Sequence, residues 1–100
     1  MGKNNVKTLG AIRSELDSLD QQIISLLVKR MSSAHDLVEC KVKNALPLRH
    51  KDRENEIVQL RRKQAAKSGL DPDFAERMMK LLMNHSLALQ KKILLKRKKA

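Results

Sequence analysis

Arg30 and Lys41 are where chemistry is expected first, because both fall where an oily side chain belongs. From Leu9 the apolar positions step by threes and fours through Ile12, Leu16, Leu19, Ile23 and Leu26, the repeat of an amphipathic helix. The next step lands on Arg30; the stripe resumes at Ala34 and Leu37 and lands on Lys41. An unpaired charge withdrawn from water is costly. One such cation near a helix end can lay its stem over apolar surface and keep its head in water. Two on one face favour a ligand. Eleven residues complete about three turns and advance roughly 16 Å, so two long side chains could close on a small dianion between them.

The elements that must hold these cations follow from the same pattern. The first helix is expected from about Val6 to Lys43, since neither Pro nor Gly interrupts it after Gly10. A helix of that length spans roughly 57 Å, more than two shorter helices of the same chain can cover, which argues for a dimer. Pro47 breaks the pattern, and Asn44–Leu48 reads as a loop. A second helix is expected over His50–Ala66 with Ile57, Val58 and Leu60 inward, stopped at Ser68-Gly69 by a left-handed cap. Asp71-Pro72 then restarts the chain, Asp as N-cap and Pro at the first helical position. The third helix carries a stripe of Phe74, Met78, Leu81, Leu82, His85 and Leu89 into a Lys-rich end.

Composition narrows the classes. One hundred residues make a single domain, here 1–100 with a basic tail over about 91–100. Apolar content of 41% fits a globular chain, and one aromatic residue, Phe74, leaves the core to aliphatic side chains. The expected class is all-α. A single cysteine, Cys40, excludes an intrachain disulfide framework. No apolar stretch reaches the roughly 18 residues of a membrane span. The segment Met1–Val6 has no apolar leader region, so a cytoplasmic location is expected. The net charge of +11 raises nucleic acid as a partner. Six of the 22 basic residues lie in the last ten positions, however, and no aromatic side chain accompanies them for base stacking. Nucleic acid is therefore not expected to be the partner.

Other polar residues fall into the same order of elements. Arg13 stands on helix 1, Arg53-Glu54 opens helix 2, and Ser86 and Gln90 share one face of helix 3 at i and i+4. The run Ile12–Asp20, then Leu26–Arg30, Arg53-Glu54 and Ser86–Gln90 resembles the all-α chorismate mutases, the dimeric three-helix class. The likeness covers about Leu9 to Ile93. Each piece alone is weak; four in order at the right spacing are specific.

The resemblance implies conversion of chorismate to prephenate by a Claisen rearrangement, in an intertwined homodimer of one very long and two shorter helices. It implies that Arg13 and Arg30 bind the two substrate carboxylates, for which a planar guanidinium fork is suited. Lys41 and Gln90 would donate to the ether oxygen, Glu54 would accept from the ring hydroxyl, and Arg53 and Ser86 would hold the ring end. A pericyclic reaction needs no nucleophile or base. The C–O bond breaks ahead of C–C bond formation, so fixed donors at the ether oxygen stabilise the transition state over the ground state. No metal or cofactor is called for, and His35, His50 and His85 form no ligand set. His50 stands where the family often has an acidic residue near the ring hydroxyl; the alternative is that it only opens helix 2.

Helix geometry bears on assembly. Arg13 and Arg30 are separated by roughly 25 Å along the axis and about 100° around it, whereas a substrate of about 8 Å spans far less. If both clamp it, Arg13 must come from a second chain, with a two-fold axis near the apolar stretch Ile23–Leu27. Two rival functions are an isochorismate–pyruvate lyase on the same fold, against which Arg53 and Glu54 speak, and a basic helical nucleic-acid binder, which has only its charge in support.

Overall fold

The computed structural model describes residues 6–99. They form α1 (Leu9–Lys43), α2 (Lys51–Ser68) and α3 (Pro72–Lys99), with no strand among the described residues. The all-α class expected from the periodicity is the class observed. The segment Met1–Asn5, within which a leader was sought, and Ala100 lie outside the described residues. The chain divides into two compact units, Met1–Ser32 and Ser33–Ala100, so the first two-thirds of α1 belong to one and its last turns to the other.

Among its described residues the first unit is helix with no buried side chain. Leu9, Leu16, Leu19, Ile23, Ile24, Leu26 and Val28 are all more than half exposed. The helix begins at Leu9, where the apolar repeat begins and three residues after the expected start at about Val6. The reason is the Thr8 side chain, whose hydroxyl accepts from the Ala11 amide at 3.1 Å while its carbonyl accepts from Ile12 at 3.0 Å, the geometry of an N-cap.

The second unit gathers the end of α1, the loop, α2 and α3. Ala34 and Val38 of α1 are buried against Ile93 of α3, with Leu48, Leu89 and Leu94 packed around them. The end of α1 is closed by backbone amides together with the Asn44 side chain, whose Nδ2 donates to the Cys40 carbonyl at 2.8 Å. Ala45 takes a left-handed φ of 54°, its amide donates to Val42 at 3.2 Å, and the Leu46 amide reaches back to the Lys41 carbonyl at 2.8 Å. This is the doubled-back cap in which two amides satisfy carbonyls of the last turn. Gly69 does the same for α2 at φ 83°, where the lack of a Cβ removes the steric penalty. Asp71 caps α3 through Oδ1, which accepts from the Asp73 amide at 3.0 Å. A connection this short folds α2 and α3 back on each other, burying Val58, Ala65, Ala75 and Met79.

Two expectations about inward faces are corrected. On α2, Val58 is buried but Leu60 is 46% exposed. On α3 the buried positions are Ala75, Met79, Gln90 and Ile93. Phe74, Met78 and Leu81 are exposed, and so is His85. The apolar arc of α3 is wide, and the fold turns in the edge of it that lies one residue, about 100°, beyond the oilier stripe.

His50 is the N-cap of α2: its backbone is extended, and its Nδ1 accepts from the Arg53 amide at 2.9 Å. His50→Asn retains a side-chain acceptor and should leave thermal stability close to the parent's. His50→Ala should cost about 1 kcal/mol, or roughly 5 °C in Tm, measured by circular-dichroism melting. Equal melting of the alanine and asparagine variants would refute the cap.

Candidate active site

The centre of the second unit is a half-buried ammonium. Lys41 leaves the last turn of α1 on the same side as Val38, and its Nζ donates to the Leu48 carbonyl at 2.6 Å and to Gln90 Oε1 at 2.8 Å. The left-handed cap at Ala45 turns the loop back, which brings Leu48 within reach of a lysine seven residues earlier. On α3, Gln90 is only 4% exposed, and its Nε2 donates to Ser86 Oγ at 3.1 Å, one helical turn away. Lys41, Gln90 and Ser86 thus form a continuous hydrogen-bonded row across α1 and α3.

The charges around that row decide its behaviour. Burial pushes the Lys41 ammonium below the ordinary lysine pKa of 10.5, and the field of the Glu54 carboxylate offsets part of that effect. Glu54, half-buried in the first turn of α2, is paired by Arg49 at 3.4 Å. Beside it opens a cleft of about 420 Å³ whose lining includes Arg49, Lys51, Glu54, Lys80 and Asn84. Glu54 belongs to both settings, being in the cleft wall and within electrostatic reach of Lys41. Hydrogen bonding leaves donors in reserve. Lys41 spends two of the three N–H bonds of an ammonium, and Gln90 one of the two N–H bonds of its amide, among the described residues. Nζ and Nε2 lie no more than about 5 Å apart, since Oε1 joins them, so one oxygen atom can accept from both.

Of the residues singled out in the sequence, Lys41, Gln90 and Ser86 are brought together, with Glu54 beside them. His50 commits Nδ1 to the cap, which leaves Nε2 as its atom for a ligand. Arg53 is exposed and pairs with Glu56 on the same helix. Arg13, exposed, and Arg30, half-buried, belong to the first unit. Two contributors escaped the sequence. Leu48 acts through a carbonyl, which any residue possesses. Arg49 stands in a loop without periodicity; its one signal was a basic side chain next to the start of a helix whose first turn is acidic. Among the described residues no three His, Cys, Asp or Glu side chains cluster as metal ligands, and no helix is long and apolar enough to cross a membrane.

The chain is all-α, with a lysine from the end of the first helix hydrogen-bonded to a buried glutamine on the third. The chain belongs to the chorismate mutase type II family, which it matches over residues 12–91. It is 30% identical over 89 residues to the chorismate mutase of Methanocaldococcus jannaschii, covering 89% of this chain and 90% of that protein. It is 34% identical over 83 residues to the T-protein of Haemophilus influenzae, and 31% identical over 84 residues to a bifunctional chorismate mutase/prephenate dehydratase of Buchnera aphidicola. The match covers 83% and 84% of this chain but only 22% of each of those two longer relatives.

The lowered Lys41 pKa has a consequence for stability. The folded chain releases this proton before the unfolded chain does. Between the lowered value and 10.5 the unfolded state therefore holds more protons, and stability rises with pH. Lys41→Met abolishes this component. Urea denaturation across that alkaline window should show parent stability gaining on the variant as pH rises; a constant difference would contradict the lowered pKa.

Proposed function

We propose that this protein is a chorismate mutase, converting chorismate to prephenate by Claisen rearrangement in the synthesis of phenylalanine and tyrosine. The observation that carries the reading is the Lys41–Gln90 bond in a chain of this family: two donors fixed to each other, each with an N–H to spare. In the reaction the ether C–O bond lengthens first and its oxygen gains negative charge. The spare N–H groups of Lys41 and Gln90 meet that charge as it forms, stabilising the transition state more than the bound substrate. Because the two groups are held by Leu48, Ser86 and each other, little reorganisation is needed at the moment of reaction. Glu54 accepts from the ring hydroxyl, with His50 Nε2 beside the same region. Arg53 leaves Glu56 to reach the ring end with Ser86. Arg30 takes one carboxylate, and the reactive chair-like conformer is held between these clamps.

Arg13 enters this scheme from a second copy of the chain. The exposed apolar run of the first unit, Leu9 to Val28, supports a homodimer, since patches of that extent on a small protein mark an interface. The exposed stripe Phe74, Met78 and Leu81 on α3 adds apolar surface for the same purpose. A two-fold axis near residue 24 would place Arg13 of each chain at the other chain's site, giving two equivalent sites.

Purified protein should consume chorismate, followed by loss of its ultraviolet absorbance, and form prephenate. Lys41→Ala and Gln90→Ala should each lower kcat by roughly 10²–10³, with KM changed far less; near-normal turnover in either variant would remove the assignment. The Gln90→Glu variant should work only where the new carboxyl is protonated, so its optimum should move to acid.

Assembly has its own test. Arg13→Ala and Lys41→Ala proteins, each inactive, should regain activity when unfolded and refolded together, because each hybrid dimer holds one site with both residues intact. Heterodimers that form without activity would exclude the shared site.

A further inference from the structure

We propose that the basic end of α3 is a collecting surface that draws the dianionic substrate toward the site. The inference rests on the reading of the chain as a chorismate mutase. From Lys91 onward the described chain carries Lys91, Lys92, Lys96, Arg97, Lys98 and Lys99 and no acidic residue. All six are exposed, so none is there to cover the core. Among the described residues only Arg97 has an acidic partner, Glu39 of α1.

The charges are held in place. α3 remains helical through Lys99, so they stand on the element that carries Gln90. The farthest of them lies roughly 14 Å along the axis from that residue. A cation-rich last turn is favourable at any helix C-terminus, but that effect fades within one turn. It accounts for Lys96, Arg97, Lys98 and Lys99 and leaves Lys91 and Lys92, about one turn before them, unexplained. A ligand with two carboxylates feels the combined field twice over, across a Debye length of about 8 Å in physiological salt and about 30 Å at 0.01 M. Such a field raises the local concentration and arrival rate of the anion without acting on the transition state. The absence of aromatic side chains around it removes the stacking platform a single-stranded nucleic acid would use.

The test neutralises charge away from the hydrogen-bonded row. The Lys92→Gln/Lys96→Gln/Lys98→Gln/Lys99→Gln protein and a matching Lys→Arg set are compared with the parent for chorismate turnover, from about 0.01 M to about 0.5 M ionic strength. Melting curves check that each is folded. At low salt the Gln set should lose about tenfold in kcat/KM, with kcat within twofold of the parent; the loss should vanish at high salt, and the Arg set should behave as the parent. Parallel salt curves, a loss that persists at high salt, or a loss in kcat would overturn the proposal. So would tight, salt-sensitive binding of a short DNA duplex that depends on these lysines while chorismate kinetics do not. A parent without mutase turnover would instead overturn the functional reading, and this proposal with it.

Discussion

A lysine ammonium taken partly out of water has to be given oxygen partners, and the second unit is arranged around that requirement. Lys41 cannot be half-buried in the second unit unless acceptors replace its lost solvent. Two elements supply them: the loop brings the Leu48 carbonyl, and α3 brings Gln90 Oε1. Gln90 is buried with both ends of its amide partnered: Oε1 accepts from Lys41, and Nε2 donates to Ser86 Oγ. Burial of the row therefore links α1, the loop and α3 in a way that apolar contact alone does not. Apolar contact is tolerant of small slips between helices, whereas a hydrogen bond of 2.8 Å is not. The same row keeps one donor on each of two side chains unspent, and the proposed chemistry draws on that reserve.

Electrostatics around the row work in opposition. Burial favours the neutral amine of Lys41, and Glu54 favours the ammonium. Glu54 is in turn shared with Arg49, which divides its attention between the loop and the interior. The balance leaves Lys41 a cation that holds its proton less firmly than an exposed lysine.

The sequence was informative wherever residue type itself carried the signal. A cation on an apolar stripe marks Lys41, whereas Ser86 and Gln90, polar residues one turn apart, stand out only through the family pattern. Capping residues marked Asp71 and Gly69 because their chemistry at helix ends is specific. The face of α3 was misjudged because the helix is apolar over more than one face, and hydropathy cannot say which face meets its own chain. The α1 boundary was set by Thr8, a polar residue invisible to an apolar repeat. The Leu48 carbonyl was beyond reach in principle, since a backbone acceptor leaves no mark on composition. The local spacing of Arg53 and Glu56 brings those two into a pair on the exposed side of α2, whereas the family resemblance puts Arg53 with the ring-end residues.

The end of α1 is tied to the loop twice through one residue. The Lys41 carbonyl accepts from the Leu46 amide, and the Lys41 ammonium donates to the Leu48 carbonyl. Main chain and side chain of the same lysine thus grip a single short segment from both directions. Fraying of the final turn cannot proceed as an isolated excursion, because lifting the Leu46 amide off its acceptor also pulls Leu48 from the ammonium and strands Gln90 without its donor. Opening of this terminus is thereby coupled to loss of the polar row, at a helix end that is ordinarily the most labile part of such an element.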